Sequence, residues 1–263
     1  MTILKTIGLS ASYDNNFFLE QIDLQVNKEE WLTILGPNGS GKSTLLRLLG
    51  RILAPKRGVV LLDGKDISKQ SPYDVAKQLA ILPQSPPITE GLTVLQMVSL
   101  GRNPYQRWWE WELDLEGKKK VSEALLQTNL LSLKDMPVEN LSGGQRQRVF
   151  LALTLAQDTD VLLLDEPTTF LDIHYQLEIL ELLKTLQKQR HLTIVTVLHD
   201  INLAIRYSDR IALMLNGKLY CIGSPLSVID PINLQKVFNV DAQVIDTPIG
   251  MQVLPIRSSS FQV

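Results

Sequence analysis

Apolar residues in this chain fall into two kinds of run, and the alternation between them predicts the architecture. Short continuous runs, "WLTIL" (31–35), "VVLL" (59–62), "VLLL" (161–164) and "LTIVTVL" (192–198), are strand-sized, and the first three are bounded by glycine or acidic residues. Runs that are apolar without alternation suit strands buried on both faces, as in α/β sheets. Between them lie helical patterns: "KSTLLRLLGRIL" (42–53) and "YQLEILELLKTLQKQ" (175–189). The strand–helix–strand order over 160–200 predicts a parallel sheet with right-handed crossovers. Residues 1–85 read as strands broken by turns, plus one helix. A Pro-rich break at "SPPITEG" (85–91) opens a stretch to about 150 that reads as helices with polar linkers. "NGKLYCIGSP" (216–225) predicts a hairpin on an Asn-Gly turn. The expected fold is therefore α/β, with a parallel-sheet core, an N-terminal antiparallel β subdomain and an inserted α-helical subdomain. The expected division is one domain over 1–263. Residues 1–85 and 151–225 form its core, 86–150 the helical insert, and 226–263 a short extension whose polar end, "RSSSFQV", is expected to fray.

Bulk properties narrow the picture only a little. The net charge of −2 over 263 residues gives no basic footprint, so no nucleic-acid partner is expected. A single cysteine, Cys221, permits no intrachain disulfide and points to a reducing compartment. No apolar stretch approaches the roughly 20 residues of a membrane span, and the first residues lack the pattern of a signal peptide. Work at a membrane would pass through a partner.

The chemistry enters at the turn after the strand 31–35. "GPNGSGKST" (36–44) matches G-x-x-x-x-G-K-[ST] through Gly36, Gly41, Lys42 and Ser43. This is the P-loop, in the strand-to-helix setting that makes the match meaningful. The loop Gly36, Pro37, Asn38, Gly39, Ser40, Gly41 and Thr44 is expected to bind the nucleotide, its backbone N–H groups (all but that of Pro37, which has none) wrapping the phosphates. Lys42 adds a fixed charge, and the Ser43 hydroxyl is placed to ligate Mg²⁺. The expected cofactors are ATP and Mg²⁺. A buried strand ending in two carboxylates is costly without a cation, so Asp165 and Glu166 are natural partners of that loop. Successive strand residues point to opposite sides. On that ground Asp165 is assigned to Mg²⁺ and Glu166 to activation of the attacking water.

A second glycine pair, Gly143 and Gly144 in "LSGGQRQ" (141–147), opens another helix. Each glycine costs about 1 kcal/mol in a helix, so the pair implies close approach of an anion to backbone N–H groups. Ser142 is also a good N-cap residue, which is the plainer account.

With "GPNGSGKST", "LSGGQRQR" and "VLLLDEP" in this order, the chain resembles the ATP-binding subunits of ABC transporters over roughly residues 3–225. The resemblance implies a P-loop NTPase (RecA-like) core. It also implies that Leu141, Ser142, Gly143, Gly144 and Gln145 face the nucleotide held by a second copy, in an ATP-dependent homodimer. Gln84 in "ILPQSPP" resembles the Q-loop glutamine, a further Mg²⁺ contact. Leu171 and Asp172 in "TTFLD" resemble the D-loop at the dimer. His199 in "VLHD" resembles the switch histidine, and Tyr13 the aromatic that stacks on adenine; packing on its own strand is the alternative for Tyr13. His174 and His191 receive no role. "GRNPY" (101–105) and "TTFLDI" (168–173) are similar to importers of ferric siderophores, ferric citrate, haem and cobalamin. This implies a peripheral subunit on the cytoplasmic face of the inner or plasma membrane. It would be docked to an integral-membrane permease that receives substrate from a binding protein. Haem, cobalamin or another chelate are the alternative cargoes, and a soluble ABC ATPase outside transport is the rival reading. A groove for a permease helix is expected near Gln84 and "SPPITEGLTV", with Met97 and Tyr105 among its residues. Trp108, Trp109 and Trp111 match no motif; they are either an interaction surface or packed within the helical insert.

Overall fold

The computed structural model describes residues 1–13, 16–84, 86, 90–107, 110, 112–169 and 171–258, with the side chains of 13 and 16–18 left aside. Its contacts gather the chain into two units, residues 1–69 with 193–263, and residues 70–192.

The first unit holds two larger sheets and a C-terminal antiparallel pair. In one, Thr2–Tyr13 pairs antiparallel with Asn16–Ile22, Gln25–Asn27 and Arg57–Leu62, as the N-terminal pattern predicts. In the other, Trp31–Leu35 lies parallel to both Arg210–Leu215 and Thr193–Val197. All five residues of Trp31–Leu35 and of Thr193–Val197 are buried. The threonines among them do not leave orphan hydroxyls. Thr33 and Thr196 Oγ1 lie 2.8 Å apart, Ser208 Oγ lies 2.5 Å from Thr33 Oγ1, and the Trp31 indole donates to Thr196 at 3.0 Å. Leaving such a group unpaired would cost about 1–3 kcal/mol. Lys218–Gly223 closes the edge through the expected hairpin, with Asn216 and Gly217 at φ 49° and 75°, the left-handed pair a type I′ turn requires.

After that hairpin the chain is more ordered than a short extension implies. Helices Pro225–Val228 and Pro231–Phe238 lead to an antiparallel pair, Val240–Thr247 with Gly250–Ser258. Asn202, on helix Ile201–Tyr207, fastens that pair: its Oδ1 accepts from Val253 N at 2.7 Å and its Nδ2 donates to Val253 O at 3.2 Å. The last residues, 259–263, lie outside the described residues.

The second unit is wider than the expected insert of 86–150. It takes in the parallel strands Leu79–Leu82 and Val161–Asp165, together with helix Ile173–Arg190, because these pack with the helical residues rather than ending where the composition changes. Its helices Val94–Ser99 and Leu115–Gln127 both pack on Gly143–Ala156. Ion pairs join the periphery: Lys120 to Asp158 at 2.8 Å, and Arg190 to Glu123 at 3.4 Å.

Candidate nucleotide site

The P-loop is held in the first unit between the buried strand Trp31–Leu35 and helix Lys42–Leu49. Its glycines have steric reasons. A Cβ on Gly36 would meet Met214 O at 2.3 Å and Ser40 Oγ at 2.8 Å, and one on Gly41 would meet Leu19 Cδ2 at 2.5 Å. Gly39, at φ 79°, has nothing within 4 Å of that position, so the loop's apex is open. The helix begins at Gly41 in a left-handed conformation with no side chain capping it. The first N–H groups of a helix lack intrahelical partners, and such an end is suited to an anion. Lys42 is 6% exposed, and its Nζ donates to Gly36 O at 2.9 Å and Pro37 O at 3.0 Å. Those bonds hold the ammonium over the loop it would share with a phosphate. Among the described residues, buried Ser40 Oγ finds no hydrogen-bond partner, a further polar group for which an anion would be a match.

The carboxylates lie in the second unit, and both are buried. The strand stops at Asp165. Glu166 adopts φ 54°, so it is a turn, not strand alternation, that separates the two side chains. A left-handed non-glycine residue is strained and tends to be held for a purpose. Gln84 Nε2 donates to Glu166 Oε2 at 2.7 Å, and Thr169 Oγ1 donates to the same oxygen at 3.1 Å. Gln84, expected at a metal, here holds the carboxylate.

The glycine pair starts helix Gly143–Ala156. Ser142 Oγ accepts from Gln145 N at 3.2 Å, while Gln145 Oε1 accepts from Ser142 N at 3.0 Å. That is a complete capping box. The two glycines differ: a Cβ on Gly144 would meet Leu171 Cδ2 at 3.0 Å, whereas Gly143 faces open space. Gln147, one turn on, is buried and donates to Pro167 O at 3.2 Å. Leu141 and Leu171 are buried. Asp172 caps helix Ile173–Arg190 by accepting from Tyr175 N at 3.0 Å.

The ABC transporter family matches residues 19–169, more than half of the sequence. The chain belongs to the ABC transporter family. It is 46% identical over 248 residues to the achromobactin transport ATP-binding protein of Dickeya dadantii, covering 94% of this chain and 92% of that one. It is 43% identical over 248 residues to the iron(3+)-hydroxamate import ATP-binding protein of Bacillus subtilis, with 94% and 92% covered. Among solved structures, it resembles a dimer of the ATP-binding cassette MJ0796 bound to ADP and Pi. There the TM-score is 0.75 and the identity 29%, over 85% of this chain and 99% of that one. This chain is thus an ABC ATPase cassette.

Within the cassette, the structure joins Gln84 to Glu166 and sets Gly144 against Leu171. His199 is exposed in the first unit, just before Asp200, which caps Ile201–Tyr207 by accepting from Leu203 N at 2.9 Å. Tyr13 ends the first strand, but its side chain is outside the described residues, as are Phe170 and Trp108, Trp109 and Trp111. Two contacts were not foreseen from the sequence: Thr169 on Glu166, and Gln147 on the turn after it. Both residues sit inside stretches whose glycines and acids drew attention first.

Proposed function

We propose that this cassette hydrolyses ATP to power import of a ferric siderophore through a separate membrane permease. The observation that carries it is near-full-length identity of 43–46% to relatives whose names are achromobactin transport and iron(3+)-hydroxamate import. Gly36–Thr44 binds the phosphates, with Lys42 supplying charge. Glu166, oriented by Gln84 and Thr169, takes the proton of the attacking water. His199 contacts the γ-phosphate, and Tyr13 stacks on adenine. Mg²⁺, when bound, offsets phosphate charge; Ser43 and Asp165 would hold it, with Gln84 nearby. One or two protein donors plus phosphate oxygens is the usual arrangement for this cation.

Leu141–Gln145, with Leu171 and Asp172, acts on the nucleotide of a second copy. Mixing Ser142→Arg chains with Lys42→Ala chains tests this. Each variant alone is expected to be inactive, and a mixed dimer regains one composite site with both parts intact. No recovery of ATPase on mixing, together with lost ATP binding by Ser142→Arg alone, would mean the signature acts within its own chain.

Among the described residues, no helix is long and apolar enough to cross a membrane, in keeping with a peripheral subunit on the cytoplasmic face. A groove of about 1170 Å³ in the second unit, lined in part by Leu92, Leu95, Leu100, Asn103 and Pro104, suits a permease helix. Met97 is 3% exposed and belongs to the core. Leu95→Glu or Leu100→Glu, at 37% and 41% exposed, is the better probe: permease-stimulated ATPase should fall while the basal rate holds. The cargo is tested by uptake of radiolabelled ferric siderophore, haem and cobalamin in a strain lacking this chain. Loss of haem or cobalamin uptake alone would redirect the assignment.

A further inference from the structure

The segment "GRNPY" has a geometry that the catalytic reading does not use. Leu100–Tyr105 forms a tight 3₁₀ segment lying directly on the last turn of helix Gly143–Ala156. At Gly101 a Cβ would stand 2.3 Å from Leu153 O and 3.2 Å from Ala156 Cβ, so only glycine lets the two backbones approach. Arg102 is 4% exposed, an unusual burial for a guanidinium. Its Nη1 donates to Ala156 O at 3.0 Å, and its Cζ stands 3.9 Å from the Tyr105 ring centroid. A cation at the carbonyl end of a helix is favoured by the dipole, and the ring face offers a second stabilisation. The Tyr105 hydroxyl donates to Asp158 O at 3.3 Å, just past the helix end.

The next residue continues the join. Gln157 Nε2 donates to Ala76 O at 2.6 Å and Leu79 O at 3.1 Å. Leu79 begins the strand Leu79–Leu82, and two residues beyond that strand stands Gln84 on Glu166.

We propose that Arg102 and Gln157 are positioning residues. Arg102 ties the C-terminal end of the signature helix to the segment Leu100–Tyr105, and Gln157 ties the residue after that helix to the strand that delivers Gln84; together they fix where Ser142–Gly144 projects. The inference rests on the reading that this segment acts on nucleotide across a dimer. Its leverage follows from helix length. Fourteen residues span roughly 21 Å, so a tilt of about 3° at the clamp displaces the glycines by about 1 Å. A misplacement of about 1 Å can lower a rate on the order of 100-fold. A small loosening at the buried arginine is therefore felt at the far end of the helix, while nothing in the P-loop changes.

The test uses the full chain. Arg102→Met keeps the bulk and loses the donor and the charge; it should lower kcat about ten-fold, with the ATP dissociation constant of the free chain within about two-fold of wild type. Arg102→Lys keeps the charge near Ala156 but loses the planar stacking on Tyr105, so it should recover part of that loss and fall between Arg102→Met and wild type. Gln157→Leu, on the other arm of the clamp, should move kcat the same way and covers the case in which Arg102→Met does not fold. In a Glu166→Gln background, the Arg102→Met chain should need more ATP to dimerise. Wild-type kcat and dimerisation in Arg102→Met and Gln157→Leu would overturn the clamp. So would a kcat loss matched by equal loss of nucleotide affinity and melting temperature. If Glu166→Gln alone fails to dimerise with ATP, the cross-dimer reading fails first, and the clamp's purpose with it.

Discussion

Two helices of this molecule begin with glycine-rich turns, and they begin differently. Helix Lys42–Leu49 starts at Gly41 with no side-chain cap and with a buried lysine bonded to the loop's own carbonyls. Helix Gly143–Ala156 starts at Ser142 with a closed capping box. The first presents helix N–H groups that no side chain caps, a natural place for an anion. The second is satisfied as it stands, and only Gly143 leaves an open approach to its backbone. A turn that needs a ligand can serve a single chain. A turn that is already capped can wait for a second chain without destabilising the first.

The largest expected effect falls on the left-handed turn at Glu166. Glu166→Gln keeps the shape but removes the base, and hydrolysis should fall about 10²–10⁴-fold, or about 3–5 kcal/mol of barrier. Size-exclusion with ATP and Mg²⁺ should then show a trapped dimer. Normal hydrolysis by a monomer would break the idea that the capped turn waits for a partner. Next comes Lys42→Ala. Loss of its charge-assisted contact should weaken ATP binding by about 2–3 kcal/mol, or roughly 30- to 150-fold, read by equilibrium titration of the free chain. Unchanged affinity would erase the distinction on the P-loop side.

Ser142→Ala opens the box and should cost about 1 kcal/mol of stability in the free chain. Chemical denaturation reads it, and ATP affinity of the monomer should not move. The smallest effect is at Gly143. In the free chain Gly143→Ala meets no neighbour and should be neutral or stabilising by up to about 1 kcal/mol, yet turnover in the dimer should drop. A destabilised free chain, or full turnover, would show that Gly143 is not held open for a nucleotide.

Much of this was legible in the residues. The strands Trp31–Leu35, Val161–Asp165 and Thr193–Val197 are apolar runs of the right length, and burial on both faces leaves such runs few alternatives. The P-loop was legible because a motif of fixed spacing serves a local need, a tight turn into a helix. The C-terminal pair Val240–Ser258 was not. Its run alternates weakly, and Asn202, 51 residues away in sequence, fastens it through bonds to Val253. The division of the chain was equally out of reach, because composition changes near residue 86 while packing begins the second unit at 70.

By itself, then, the sequence singled out the candidate residues, Lys42, Asp165, Glu166, Gln84 and the signature, from local spacing and side-chain functional groups. Tertiary structure alone decided how they are held. Glu166 sits in a left-handed turn between Gln84 and Thr169, Gly144 against Leu171, and Arg102 beneath the end of the signature helix. Such contacts join residues far apart along the chain. They depend on close packing of specific atoms, which short-range patterns of polarity do not encode.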